Sequence, residues 1–220
     1  MTSTAPLPAG WNKLYAAVLS DALDAVGVTS QAMPASIRPL DDTLVLCGRA
    51  RTGIYMETAH VDPDVNPYEL EIKLIDDLKP DEVAILACGG SGRIAPWGSL
   101  LSTAAVGRKA AGCITDGFVR DIKTIRELKL PVFHAGIAPL DSKGRGQIAA
   151  IDVPVICAGV RVCTGDLVFG DADGVVVIPQ AVEDEVLKIA FDKIASEDSS
   201  MDDLRNGAYL RDVYERHGVL

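Results

Sequence analysis

Apolar and polar positions follow two rhythms along this chain, and the rhythm changes part-way. The first half alternates helix-like stretches with short apolar runs. Residues 11–26, WNKLYAAVLSDALDAV, repeat apolar positions at helical spacing, with Leu14, Val18, Ala22 and Ala25 on one face and Gly27 as a stop. Residues 43–55, TLVLCGRARTGIY, predict a strand. Pro67 can start a helix through YELEIKLIDDL, and Pro80 lies just beyond its end. EVAILAC, residues 82–88, is a short unbroken apolar run, as in a strand covered on both faces. WGSLLSTAAVGRKAA, residues 97–111, predicts a helix with Leu100, Leu101, Ala104, Ala105 and Arg108 on a shared side. CIT (113–115) predicts strand, DIKTIREL about two helical turns, and PVFHA strand again.

From residue 148 the rhythm shortens to closely spaced strands: IAAIDVPVICAGVRV, DLVFG and GVVVIP. DADG (171–174), between the last two, predicts a hairpin, because Asp-Gly readily takes the positive φ of a tight turn. Residues 180–206 predict a long acidic helix and 208–217 a short last one. A βαβ middle, a β-rich later part and helices at both ends indicate a mixed α/β fold. No Ser/Gly tract, Pro-rich spacer or repeat divides the chain. Residues 1–220 therefore predict a single domain whose tail, 180–220, is helical.

Composition narrows the function classes. The chain has 220 residues, 48% apolar and 24% charged, ordinary for a soluble globular protein. Its formal charge is −10. Nucleic-acid binding depends first on neutralising phosphates, and no Lys/Arg cluster is present to do so. No run of about 18 apolar residues predicts a membrane span. The opening MTSTAPLPAGW has neither the basic start nor the apolar run of a secretory signal. The five cysteines are widely spaced, without CxxC, and most lie in apolar runs. Buried free thiols in a reducing, cytoplasmic setting are the expectation.

Three features carry candidate chemistry. The first is the loop GGSGRIA, where Gly90-x-Gly92-x-x-Ala95 follows a strand and Asp116 ends the next one, as in a dinucleotide fingerprint. Pro96 and Trp97 separate it from the next helix, so the third small residue does not sit where helix and strand must pack closely. A rim loop, or a loop whose amides face an anion, is the other reading. The second is Arg120-Asp121 in TDGFVRDI. As a plain turn, Asp121 would cap the helix that follows. As a site, Arg120 offers a planar fork for a carboxylate, and Asp121 a hard oxygen for Mg²⁺, which needs only one or two protein carboxylates. The third is PWGSLLS: if the helix begins near Gly98, the amides of Ser99, Leu100 and Leu101 are free for an anion. Trp97 would wall the pocket or pack in the core. His60, His134 and His217 show no metal-ligand spacing, and a structural role is expected of them.

SDALDAVGV, PWGSLLSTAA, DGFVRD, PVFHAGIAP, GVRVCTGDLVFGDADGVVVIP and the closing HGVL together resemble the RraA-like family that includes the 4-hydroxy-4-methyl-2-oxoglutarate and 4-carboxy-4-hydroxy-2-oxoadipate aldolases. The resemblance implies an α-β-β-α sandwich akin to the swivelling phosphohistidine domain. It implies a homo-oligomer, a trimer or a dimer of trimers, with sites at subunit interfaces and the helical tail packed there. It implies a lyase that needs Mg²⁺ or Mn²⁺ and cleaves a small 2-oxo acid to pyruvate or decarboxylates oxaloacetate. By the same resemblance Arg120 would bind the pyruvyl carboxylate and Asp121 the metal. Gly98, Ser99 and the amides of Leu100 and Leu101 would hold substrate, and Glu197 would be an acid near the metal of a neighbouring subunit. One departure matters. The family motif is an acidic residue, twenty residues, then Arg-Asp; the acidic position here is Ser99. Serine cannot supply the missing charge. Either another group replaces it, or the chain serves another substrate, or it is a non-catalytic regulator that binds a protein partner.

Overall fold

The computed structural model describes residues 5–218. The first residues of MTSTAPLPAGW and the last two of HGVL lie outside the described residues. The chain runs α1 (Ala16–Ala25), β1 (Arg38–Pro39), β2 (Leu46–Glu57), α2 (Glu69–Asp76), β3 (Glu82–Ala87), α3 (Ser99–Gly107), β4 (Gly112–Thr115), β5 (Phe118–Val119), α4 (Ile122–Leu128), β6 (Val132–His134), β7 (Gly136–Ile137) and β8 (Gly146–Ile151). It continues through β9 (Val155–Cys157), β10 (Val160–Val162), β11 (Leu167–Gly170), β12 (Val175–Ile178), α5 (Glu183–Arg205) and α6 (Leu210–His217).

The main sheet has the order β1-β6-β4-β3-β2-β11-β12, with β8 also on β2. The βαβ middle makes β2, β3, β4 and β6 parallel, and the rest of the sheet is antiparallel. β2 is long enough to serve two antiparallel partners in turn: Leu46–Arg49 pair with β11, and Gly53–Glu57 with β8 across a bulge at Ile54/Tyr55.

Alternation along the strands builds three cores between four layers. On β3, Ala84 and Leu86 face Leu74, Ala105 and Ile125 of α2, α3 and α4. Val83 and Ile85, on the other face, meet Val155, Cys157 and Val160 of the β9–β10 ribbon and Val168 and Val177 of β11 and β12. The opposite faces of β11 and β12, through Phe169 and Ile178, meet Leu19 and Leu23 of α1 and Val186 and Ala190 of α5. The architecture is the expected mixed α/β, α-β-β-α arrangement with C-terminal helices, its sheet curled around a shared apolar interior. β3 is buried along its whole length, as its unbroken apolar run predicts.

Several local expectations are corrected. The first helix is shorter than 11–26, because Tyr15 is extended between a 3-10 turn at Trp11–Lys13 and α1, and Ala25 is exposed. α3 starts at Ser99; Ser102 and Ala105 are its buried residues and Leu101 and Ala104 pack beside them, but Leu100, expected on the same side, is 83% exposed. The DADG hairpin exists, with Asp171 and Gly174 exchanging backbone hydrogen bonds of 3.0 and 3.2 Å. Of the Asp-Gly pair, Gly174 takes a positive φ, 149°, and Asp173 does not. Four cysteines are buried, Cys163 is half-buried, and all five are free thiols. Burial pushes the Cys47 and Cys88 thiols up to about 12, so they are inert at neutral pH. No helix among the described residues is long and apolar enough to cross a membrane.

Candidate active site

Residues 94–97 run beside 118–120 and bring two distant segments together. Phe118 N–H donates to Ile94 O and Arg120 N–H to Trp97 O, each at 3.0 Å. This seats Arg120 and Asp121 against the start of α3. Gly98 is the α3 N-cap; a Cβ there would lie 2.9 Å from Asp121 Oδ2 and 3.2 Å from Arg120 Cγ, so a side chain would have to displace both groups.

Asp121 holds the cap position of α4, but its side chain does not cap that helix. It turns to α3 instead. Oδ2 accepts from the Ser99 N–H at 3.0 Å and from Ser99 Oγ at 2.9 Å. These two bonds hold the Asp121 carboxyl below its ordinary range, with Arg120 helping. Oδ1 accepts nothing among the described residues and stays available. Asp121 sits at φ 58° and ψ 33°, a left-handed conformation that costs a non-glycine residue about 1–3 kcal/mol. That conformation turns Asp121 towards the same cavity as Arg120, whereas an extended pair would point to opposite faces. The amides of Leu100 and Leu101, in the first turn of α3, likewise have no acceptor among the described residues.

The cavity is a cleft of about 430 Å³, within the usual range for small-molecule sites. Gly98, Ser99, Leu100, Leu101, Arg120 and Asp121 all line it, so the residues singled out in the sequence around α3 share one pocket. Trp97 is also in the wall; it is fully buried, and its indole N–H has no partner among the described residues. The wall and core expectations for Trp97 therefore both hold. Glu197 is not in the wall of its own chain's cleft. It lies on α5, where it accepts from the Tyr15 hydroxyl and stands 3.7 Å from Lys193 Nζ.

Sequence reasoning missed the other side of the cleft. Tyr68, Glu71 and Ile72 come from α2 and the turn before it, and Asp141 and Ser142 from the loop before β8. Asp141 lies 3.7 Å from Arg120 and accepts from Tyr68 Oη at 3.1 Å. Burial pushes Asp141 up, but the Lys143 amide, the Tyr68 hydroxyl and the Arg120 charge outweigh it and leave the carboxyl below its ordinary value. Glu71 is buried and accepts from the Tyr55 hydroxyl; desolvation raises it above the usual carboxylate range. Arg120 also donates to Leu140 O at 3.2 Å, which fixes its head at the cleft. A sequence signal for Glu71 existed: it shares a helical stripe with Leu74, Ile75 and Leu78, all buried.

The dinucleotide reading of GGSG does not survive. Both oxygens of buried Asp116 accept from the protein's own amides, those of Cys88, Gly90 and Ala158. The carboxylate expected to meet a ribose instead holds the loop closed, with Gly89 and Gly90 at φ 62° and 70°. The histidines are structural or peripheral. His134 is buried in β6 and lowered by desolvation, His217 meets Asp203 at 2.9 Å, and His60 lies on a separate surface hollow.

Residues 16–177 match the family model described as RraA-like: Aldolase/RraA. The chain belongs to the RraA-like family. A Halalkalibacterium halodurans relative, which carries 4-hydroxy-4-methyl-2-oxoglutarate aldolase as a provisional name, is 34% identical over 82% of this chain and 80% of its own. The Thermus thermophilus protein named 4-hydroxy-4-methyl-2-oxoglutarate aldolase is 30% identical over 60% of this chain and 79% of its own. Among solved structures, an uncharacterized Pseudomonas syringae protein superposes with TM-score 0.83 at 25% identity, covering 95% of this chain and 98% of that one. Streptomyces coelicolor RraAS2, described as an unusual member of the RNase ES inhibitor RraA protein family, gives 0.78 at 27% identity, covering 90% and 98%. The RraA-like family thus includes proteins named as aldolases and proteins named as inhibitors, and the cleft must be weighed between them.

Proposed function

We propose that this RraA-like chain is a divalent-metal-dependent carbon–carbon lyase acting on a small 2-oxo acid, by retro-aldol cleavage to pyruvate, oxaloacetate-type decarboxylation, or both. The observation that carries it is the convergence of Arg120, the free Asp121 oxygen and the unused α3 amides on one cleft. The donor set suits Mg²⁺ or Mn²⁺. No cluster of three His, Cys, Asp or Glu side chains able to hold a metal exists among the described residues. A hard ion completed by substrate and water needs only Asp121 Oδ1 from the protein. When bound, such an ion would draw charge from the 2-oxo oxygen as a Lewis acid.

The chain's own residues do the rest. Arg120 clamps the substrate carboxylate in a planar fork, and the Leu100 and Leu101 amides orient the pyruvyl end. These donors favour the negative charge that develops as the C–C bond breaks. Proton removal from a 4-hydroxyl falls to the carboxylates of the cleft, Glu71 and Asp141, since Ser99 has no charge to offer. Burial raises the Glu71 carboxyl, which makes its carboxylate the stronger base of the two. A homo-oligomer, trimer or dimer of trimers, belongs to the proposal; Glu197 would then serve a neighbouring copy's cleft. A cytoplasmic location fits the five free thiols.

Coupled pyruvate-release assays over a panel of 2-oxo acids, with and without Mn²⁺, test this. Turnover is expected to need the metal and to vanish in Asp121→Ala. Full activity in excess chelator or in that variant would sink the proposal. Ser99 favours one competing reading, a protein-binding regulator. That reading predicts no turnover of any 2-oxo acid together with a stable partner complex.

A further inference from the structure

Resting on that reading of the cleft, we propose that Tyr68 is a positioning residue: it tethers Asp141 and so keeps that carboxylate from occupying the Arg120 fork that the substrate needs. To a guanidinium, Asp141 is the same kind of partner as a substrate carboxylate, and it belongs to the chain. A group held this way competes at an effective concentration of about 1 mM or more. Unrestrained, it would close on Arg120 as a bidentate pair, with N–H···O distances of about 2.7–2.9 Å.

The pair stops short of that. Arg120 Nη2 stands 3.7 Å from Asp141 Oδ1. The other oxygen, Oδ2, accepts from Tyr68 Oη at 3.1 Å, the shortest contact of this carboxylate among the described residues. The Lys143 amide and the Ser142 hydroxyl approach Oδ1 only to 3.4 and 3.5 Å, longer than good hydrogen bonds. Tyr68 is therefore the main restraint on the Asp141 side chain. Burial and the hydrogen bond to Asp141 raise the Tyr68 hydroxyl, so it remains a donor at neutral pH. The place of Tyr68 is set by its main chain: the amide donates to Asn66 Oδ1 at 3.1 Å, and the carbonyl accepts from the Ile72 N–H at 2.8 Å. Arg120 takes its aim from Leu140 O, to which it donates at 3.2 Å, and does not need Asp141 for it.

Pyruvate binding to the full-length protein tests the idea by titration calorimetry. One Mg²⁺ buffer and one protein concentration keep ion and assembly common to every comparison. Tyr68→Phe, which removes only the hydroxyl, is expected to weaken binding by about 10-fold, the order set by a hydrogen bond to a charged group. Adding Asp141→Asn removes the competing charge. The double variant should bind more tightly than Tyr68→Phe alone and within about 2-fold of Asp141→Asn alone. A hydroxyl that merely supports the fold would show no such rescue, so a double variant as weak as Tyr68→Phe overturns the inference. Unchanged binding in Tyr68→Phe does the same. Asp141→Asn alone gives a reading independent of Tyr68: it should bind pyruvate no more weakly than wild type, and a clear loss rules the competition out. Failure of the wild type to bind pyruvate, by contrast, overturns the underlying role of Arg120, and the inference falls with it.

Discussion

Asp116 and Asp121 stand in the same connection after β4, and both accept hydrogen bonds from backbone amides. Their fates differ. Asp116 is buried, and its two oxygens serve three amides from two loops. Asp121 is exposed, serves Ser99 alone through Oδ2, and leaves Oδ1 unused. One carboxylate is saturated by its own protein; the other keeps capacity for something else. Spare hydrogen-bonding and ligating capacity, more than charge, separates a structural acid from a candidate site acid here.

The largest expected effect lies on the saturated side. Asp116→Ala orphans the Cys88, Gly90 and Ala158 amides and should cost about 3 kcal/mol of stability, since each buried unsatisfied group costs about 1–3 kcal/mol. Urea unfolding measures it, and a loss under about 1 kcal/mol would break the contrast. Asp121→Asn should do the opposite. Asparagine tolerates the left-handed backbone and can still accept from Ser99, so the unfolding midpoint should hardly move. Mn²⁺ affinity and pyruvate release should each fall by about 100-fold or more, as the loss of a directly bound carboxylate exceeds the 10–100-fold typical of outer partners. If this variant unfolds like Asp116→Ala, the two acids are of one kind.

Ser99→Glu sharpens the comparison from the partner side. It removes the Ser99 Oγ bond to Asp121 and sets a like charge beside it. Without metal the variant should melt lower than wild type; with Mn²⁺ it should gain more in Tm than wild type does, because tighter binding stabilises by mass action. No metal-dependent difference would show that the missing acid has no bearing on the ion.

The smallest effect concerns Glu71, whose burial raises it above its ordinary 4.5. The folded state therefore holds this proton more firmly than the unfolded chain does. Its contribution to stability is complete below pH 4.5 and is lost as pH rises through the raised folded value. Glu71→Gln should flatten the stability–pH curve above pH 4.5, read as Tm against pH. An unchanged slope would place the carboxyl in water.

The sequence made legible those parts in which neighbours along the chain do the work. β3 is an apolar run buried on both faces, the β11–β12 hairpin follows from its turn, and α5 from its acidic amphipathic stretch. Arg120, Asp121 and the α3 start were nameable because they lie within one βαβ passage. Asp121's true partner was not: a favoured cap residue before a helix points to that helix, and only the pairing of 94–97 with 118–120 turns it to α3. Leu100 was misplaced because it stands in the first turn of α3 at the open cleft, where no core lies over it, while Leu101, Ala104 and Ala105 further along pack inward. Glu71 and Asp141 stayed hidden because they lie some 50 and 20 residues from Arg120 along the chain and meet it only through the packing of α2 and the loop before β8.

The left-handed backbone at residue 121 also sets a trap for anyone stabilising the protein. Glycine relaxes that conformation, so Asp121→Gly is a substitution that a search guided by backbone preference would favour. It would also delete the Asp121 oxygen that accepts nothing among the described residues at the cleft. Selection for heat tolerance alone would drift towards a sturdier chain that has lost its proposed metal ligand, so engineering of this fold should score residue 121 by function first.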